Sequence, residues 1–308
     1  MNIKKRPPLY IVFFILSFFI LTLFVNCKST AASAEEYFLI GMAYFDLGKF
    51  EEAEKWLNRA RQADRTMTAS TYNLGRLAFE RRQYDDAVKH FERILRRDPE
   101  NILALQAAAY TRIMLEDFER ADSHYSKLLT LVPESADNGY NHALVLFAMK
   151  RFTAAEDVLK KFPIALQENK DVMLLYARTQ AAMNKIEAIE RFSVFLNLHS
   201  DLKARYEYAQ VLEQHEFYAR ALEEYRKTLS DLPETSADPK RNEVRFAIAR
   251  VLLIADSASA EGVTELQGAV TDGFNNIAAV EGLAARASQS NRDAIRNILN
   301  AMRSEANP

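Results

Sequence analysis

Ala53, Ala87, Ala121 and Ala155 lie 34 residues apart, and three residues before each stands an aromatic ring: Phe50, Tyr84, Phe118 and Phe152. The same interval separates a column of small residues (Gly41, Gly75, Ala109, Ala143) and a column of large apolar ones (Leu57, Phe91, Tyr125, Leu159). A fixed period of this length means that one supersecondary unit is repeated and that each copy buries its apolar face against the next. Pro99 and Pro133 recur at the same interval, where one helix must stop before another begins. Small residues in both halves of the unit let two antiparallel helices approach closely, and the aromatic and leucine columns fill the space beside them. The unit is therefore a helix hairpin. Eight glycines and eight prolines among 308 residues leave room for long helices.

A 34-residue unit with these columns resembles the tetratricopeptide repeat family, which places a small residue at position 8, an aromatic at 17, alanine at 20, a large apolar residue at 24 and proline at 32. With Ala34 as position 1, the first unit supplies Tyr37, Ile40, Gly41, Tyr44, Ala53, Leu57 and Ala60 at the signature places. A fifth unit sets Ala177, Ile186, Ala188, Phe192 and Phe195 in phase if one residue is deleted before Ala188. A sixth keeps Ala209, Tyr218, Ala221, Tyr225 and Pro233, and a seventh only Ala249, Gly262, Leu266 and Ala269. The fold implied is all-α, a right-handed superhelical solenoid of about six to seven hairpins. The array is expected over residues 34–270, strong over 34–160 and degenerate over 161–270. Residues 271–308 then form C-terminal capping helices: Ala294, Ile295, Ile298, Leu299 and Met302 make one helical stripe, with Ser290 and Asn291 as candidate caps.

In that family the first helix of each unit lines the concave surface, through positions 2, 5, 9, 12 and 13. Carried onto this chain, these positions give Phe38, Met42, Phe45, Tyr72, Arg76, Phe79, Tyr110, Ile113, Met114, Tyr140, Leu144 and Phe147. Such a groove suits an amphipathic helix or extended peptide of a partner protein. It does not suit a charged tail, which calls for lysine, arginine and asparagine. The alternative is that the protein's own elements occupy this surface. The fifth and sixth units offer polar groups instead: Asp171, Arg178, Lys203, Tyr206, Gln210 and Glu213.

Residues Leu9 to Val25 form an uncharged apolar run preceded by Lys4, Lys5 and Arg6 and followed by Cys27, the only cysteine. A basic start, an apolar run and a short polar stretch make a signal segment. Phe24-Val25-Asn26-Cys27 resembles the lipobox of bacterial lipoproteins, with Phe24 where leucine is preferred and Asn26 where a small residue is preferred. The resemblance implies a lipid on Cys27, residues 1–27 as signal or anchor, and 28–33 as linker. A retained single-pass anchor is the competing reading, since seventeen residues is the short end of a bilayer span, and an incidental thiol is the third. The first two place the body across the inner membrane, in the periplasm of a bacterial envelope.

A formal charge of −2 argues against a protein dedicated to nucleic acid. Locally, residues 55–97 carry eleven basic side chains against five acidic ones, a solvated face or a surface facing anionic lipid. The five histidines show no metal-ligand spacing, His90 and His124 fall at equivalent second-helix positions where the register predicts solvated side chains, and no phosphate loop, dinucleotide fingerprint or nucleophile elbow occurs. Neither cofactor, metal nor catalysis is expected. The chain reads as a membrane-anchored scaffold or adaptor that binds envelope proteins, or else as a self-associating structural protein whose groove is filled by a copy of itself.

Overall fold

Ser33 opens the first helix: its hydroxyl accepts from the Glu36 amide (3.1 Å) while the Glu36 carboxylate accepts from the Ser33 amide (2.7 Å), a reciprocal capping box. The computed structural model describes residues 33–306 apart from 234 and 257, without the side chains of 305 and 306. Cys27, the apolar run and the linker up to residue 32 lie outside the described residues. The chain divides into two compact units, one ending at Leu115 and one beginning at Glu116. The first holds α1 (Ala34–Asp46), α2 (Phe50–Ala63), α3 (Thr68–Glu80), α4 (Tyr84–Leu95) and α5 (Ile102–Met114). The second holds α6 (Phe118–Leu131), α7 (Ala136–Ala148), α8 (Phe152–Leu159), α9 (Ala165–Glu168), α10 (Lys170–Ala182), α11 (Glu187–Leu198), α12 (Leu202–Gln214), α13 (Tyr218–Asp231), α14 (Arg241–Ala255), α15 (Ala260–Thr271), α16 (Ile277–Arg286) and α17 (Gln289–Ala306). All the described elements are helices, which pair as successive hairpins within each unit, and the fold is all-α as expected.

What makes each pair a hairpin is one repeated backbone turn. Gly48, Arg82, Glu116, Lys150 and Asn184 share a left-handed conformation, with φ between 55° and 69°, at unbroken 34-residue spacing. Glu216 (φ 64°) continues the series two residues early. At Gly48 the next amide, Lys49, reaches back to the Tyr44 carbonyl (2.9 Å), and the same six-to-one bond runs from Gln83 to Ala78, Arg151 to Leu146, Lys185 to Gln180 and Phe217 to Leu212. This is the Schellman cap, which satisfies the last carbonyls of the first helix and reverses the chain. Only the first of these turns uses glycine. A side chain in this region costs about 1 kcal/mol or more, and the packing on both sides of the turn overrides that cost.

The columns meet as their chemistry requires. A methyl group added at Gly41 would stand 2.9 Å from Leu57 Cγ, and one at Gly75 would stand 2.6 Å from the Phe91 ring. In these two hairpins the small residue of the first helix therefore seats the large residue of the second, and both large side chains are buried. The one-residue slip in the fifth hairpin is absorbed at the start of α11. There the Ala188 and Ile189 amides bond to Lys185 and Ile186, three residues back, where Ala53, Ala87 and Ala155 bond four residues back. The tighter first turn returns Ala188, Phe192 and Phe195 to the core.

The fourth hairpin is cut short. Its second helix, α8, ends at Leu159 because Pro163 arrives before the usual repeat end and cannot donate to a helix, and the residue before a proline is pushed out of helical geometry. The chain turns, inserts the single-turn α9 and buries Phe162 against α7, where Gly139 leaves space: a methyl group there would lie 2.0 Å from the Phe162 ring.

At the C-terminal end Ile295, Ile298, Leu299 and Met302 are buried with Phe246, Leu253, Leu266 and Leu283 in one cluster, so α17 closes over α14–α16. The expected caps are corrected here. The Ser288 hydroxyl, not Ser290, accepts an amide hydrogen at this helix start, from Asn291 (3.2 Å). Asn291 does not cap its own helix: its side-chain amide donates to the carbonyls of Leu253 (3.0 Å) and Asp256 (2.7 Å), and its oxygen accepts from the Ser259 amide (3.1 Å). It fastens the α14–α15 turn.

Candidate functional site

The first-helix positions named above are neither open nor sealed. Phe38, Met42 and Phe45 are half-buried against Ala53, Leu57, Leu74 and Leu77. Phe45 lies 5.8 Å from Phe50, the aromatic just past its own turn, and Phe79 lies 5.2 Å from Tyr84 in the same way. These two rings thus lean partly on their own hairpins: part of this surface is core and part faces solvent.

The structure brings three of the named residues together around one cleft. Arg76, Phe79 and Tyr110 line a cavity of about 120 Å³ with Glu80, Phe91, Ala107 and Thr111. Phe79 and Tyr110 are 5.6 Å apart, and the Arg76 guanidinium lies 4.9 Å above the Phe45 ring while donating to Asn73 (3.1 Å). Tyr72 packs on Phe91 (5.6 Å), behind the cleft. Along α5 the exposed apolar side chains Leu103 (60%), Tyr110 (46%) and Met114 (40%) lie seven and four residues apart and so on one helical stripe, with exposed Ile102 at the helix start and half-buried Ile113 beside them. Leu103 was not among the residues expected. It stands at position 2 of the third unit, and the phase of the repeat alone would have found it.

In the second unit Tyr140, Leu144 and Phe147 are half-buried against Ala143, Leu146, Ala155, Leu159 and Leu175, and Phe147 meets Phe152 edge-on at 5.2 Å. Burial, aided by the charge of Asp171, pushes the Tyr140 hydroxyl up from the ordinary phenol range. The polar groups of the fifth and sixth hairpins are largely committed within the chain. Arg178 holds Glu207 through two bonds (2.7 and 3.0 Å), Lys203 pairs with Asp238, and Glu213 takes Arg250 through two more (2.6 and 2.8 Å) while accepting from the Tyr225 hydroxyl (2.8 Å). These contacts fasten neighbouring hairpins to each other.

The titratable clusters are likewise structural. His142 shares a hydrogen bond with Asp122 (2.6 Å), whose other oxygen accepts from Arg151 (2.6 Å). Burial raises the Asp122 carboxyl, but the bonds from His142 and Arg151 outweigh that and hold it below its usual range. His90 is not solvated as its register suggested. It is half-buried, its Nδ1 has no partner, and burial followed by the charges of Arg93 and Arg61 pushes its pKa down. Among the described residues no group of three or more His, Cys, Asp and Glu side chains is placed to hold a metal ion.

Glu156 is the most strongly perturbed carboxylate. Burial alone would raise it, yet donors from Lys185 (2.8 Å), Gln180 (3.1 Å) and Lys160 (3.0 Å) bring its pKa down from 4.5 to about 2. Because the folded value is depressed, its contribution is complete above pH 4.5 and is lost as the pH falls towards 2, an effect of about 2–3 kcal/mol. Glu156→Gln should therefore be clearly less stable than wild type in urea at pH 6, and the gap should close at pH 2.5. An equal gap at both pH values would exclude this role.

The class defined by these features is a helix-hairpin repeat protein whose first helices carry a partly exposed apolar face. A family model described as "Tetratricopeptide repeat" matches residues 44–109, and one described as "Anaphase-promoting complex, cyclosome, subunit 3" matches residues 80–162. The chain carries tetratricopeptide repeats. Among solved structures it is similar to a tetratricopeptide repeat protein from Parabacteroides merdae (TM-score 0.57, 18% identity, 85% of this chain and 98% of that one). It is also similar to a MamA fragment from Desulfovibrio magneticus RS-1 (TM-score 0.51, 17% identity, 54% and 94%). At these identities the likeness is one of fold. By sequence it is 26% identical over 163 residues to an uncharacterized lipoprotein of Treponema pallidum, covering 53% of this chain and 83% of that protein. Among the described residues no helix is long and apolar enough to cross a membrane.

Proposed function

We propose that this protein is a non-catalytic, membrane-attached scaffold of a bacterial envelope that captures a segment of a partner protein on its first-helix face. The observation that carries the reading is the α5 stripe of Leu103, Tyr110 and Met114 beside the cleft at Arg76 and Phe79. An apolar row at helical spacing, next to a cavity the size of one side chain, suits an amphipathic helix that inserts a single anchor. Attachment is supported by the apolar run before Cys27 and by the likeness to a lipoprotein; lipid on Cys27 and a periplasmic orientation belong to the same reading.

Tyr110 is the residue to test, because it is exposed, whereas charge placed at Phe79 or Phe147 would also disturb the rings packed on them. A photocrosslinking amino acid at Tyr110, with one at exposed Leu198 as control, should trap a discrete partner from native envelope at the first position only. Met114→Glu, in the protein that carries the probe at position 110, should abolish the adduct and leave helicity unchanged. Equal trapping at both positions would refute the groove.

One observation favours self-association as a second reading. Leu39, Ala43 and Leu47 form an exposed stripe on α1, with Leu39 at 59% and Leu47 at 70%. The equivalent positions of α3 are Asn73, Leu77 and Arg81, and the first two are buried. Light scattering over a hundredfold concentration range separates the readings: a constant monomer mass excludes the second.

A further inference from the structure

The first unit has two edges. The Schellman turns at Gly48 and Arg82 form one. The other holds the start of α1 and the ends of α2 and α4, because antiparallel hairpins return the chain to where it entered. The Arg97 guanidinium, which donates to the Arg65 carbonyl (2.7 Å), ties the two hairpin ends together there.

Five arginines lie on this second edge: Arg61 and Arg65 from the first hairpin, and Arg93, Arg96 and Arg97 from the second. None has a carboxylate within ion-pairing distance among the described residues, although Arg81, Lys89 and Arg112 of the same unit do. All but Arg61 are exposed. The nearby acids are committed elsewhere: Asp64 accepts from the amide and hydroxyl of Thr66 (2.7 and 2.6 Å), Asp98 from Asn101 (3.0 Å), and Glu92 takes Arg112. Exposed Glu100 and, in the first turn of α1, exposed Glu35 and the capping Glu36 are left as counter-charges, fewer than the five arginines. Inside the edge, Arg61 Nε and His90 Nδ1 are buried with no partner. Burial followed by the charge of Arg93 depresses the Arg61 pKa, and His90 responds to both arginines, so the local field is positive despite Asp86 and Glu54.

Chain connectivity limits how far this edge can lie from the membrane. Ser33 stands on it, and eight residues separate Ser33 from Val25, the last residue of the apolar run. Eight residues span less than about 30 Å fully extended. Whether the run stays in a bilayer or a lipid on Cys27 takes its place, and the function proposed above requires one of the two, the edge at Ser33 is kept within that reach of the membrane surface and is the part of the first unit tethered nearest to it. Arginine forks suit phosphate oxygens, and screening confines their attraction to within about 8 Å of the surface at physiological salt.

We propose that the arginine edge formed by Arg61, Arg65, Arg93, Arg96 and Arg97 docks the first unit on anionic phospholipid headgroups. It thereby orients the array, leaving the hairpin turns and the α5 stripe accessible to partners.

The test uses the full chain reconstituted into nanodiscs of phosphatidylcholine alone or with one third phosphatidylglycerol, read by hydrogen exchange. In anionic discs, amides of the turns at 64–67 and 96–101 should exchange several-fold more slowly than in zwitterionic discs. Turns 47–49 and 81–83 should not change. The protection should disappear in 0.5 M salt and in Arg93→Glu/Arg96→Glu, which touches no buried pair. Protection indifferent to lipid charge, to salt and to the double variant, or none at all, overturns the proposal.

Incorporation into zwitterionic discs reports on attachment alone. If it fails, the anchor reading fails, and the edge is then read from the full chain added to preformed anionic vesicles. Salt-sensitive binding weakened at least about tenfold by the double variant would sustain the edge. Absence of such binding, or preferential binding of a soluble polyanion, would overturn it.

Discussion

Glu213→Ala should lower stability by about 3–5 kcal/mol, the range for removing one partner of a buried charge pair. Glu213 on α12 accepts two bonds from Arg250 on α14 and one from Tyr225 on α13, so one carboxylate joins three successive helices. Tyr225 has no exposed surface, and burial followed by the charge of Glu213 pushes its phenol well above the ordinary range. Its hydroxyl hydrogen then has no other destination when the carboxylate is gone. Desolvation by itself would lower the Arg250 pKa, but its bonds and charge interaction with Glu213 more than offset this and raise it. Without Glu213 the guanidinium keeps the desolvation and loses the compensation. Arg226→Ala is the control, because its pair with Glu261 is half exposed at both ends and should be worth under about 1 kcal/mol. Urea unfolding followed by far-ultraviolet circular dichroism measures both; a loss under 1 kcal/mol for Glu213→Ala would contradict the assignment.

Asn291→Leu should cost about 3 kcal/mol, although leucine is the better helix former and the site lies in the first turn of α17. The substitution strands the carbonyl of buried Leu253 and the amide of buried Ser259, whose partner water replaces poorly, and removes a third bond at the more exposed Asp256 carbonyl. Ser259 also caps α15 by accepting from the Gly262 amide (3.0 Å), so the damage should spread to that helix start. The check is local as well as global: amide exchange at residues 256–262 should accelerate, while the turn at Gly48 stays as protected as in wild type. Unchanged exchange across the α14–α15 turn would show that the side chain is a local helix residue after all.

These two residues mark where reading the sequence stopped. Glu213 was legible as a first-helix position of the sixth hairpin and so as a candidate polar surface. Nothing in its neighbourhood along the chain announces Arg250, 37 residues away. Asn291 carries a strong local signal, an asparagine just before a helical stripe, and that signal pointed to a cap. Local hydrogen bonding and long-range hydrogen bonding compete for the same amide, and only the packing of α17 over the last hairpin shows which prevails. The first-helix residues fall between these cases. Their register was plain from position 5, 9 and 12 spacing, but whether Phe79 or Tyr110 is the more accessible depends on which ring leans on Tyr84 and which is left facing solvent.

By itself the sequence determined the repeat, the hairpin and the pairing of small with large residues, because a strict 34-residue period admits one solution in which every unit buries the same face. It also held the apolar run before Cys27 and the arginines of residues 61–97, since hydropathy and charge are properties of the residues themselves. Tertiary structure decided the rest. It let Arg82, Lys150, Asn184 and Glu216 occupy a left-handed turn that their own preferences oppose, because the helices packed on either side override them. It paired the polar groups of the later hairpins with each other rather than with a ligand. And it placed Leu103, Tyr110 and Met114 on one open stripe, because exposure depends on which neighbours arrive.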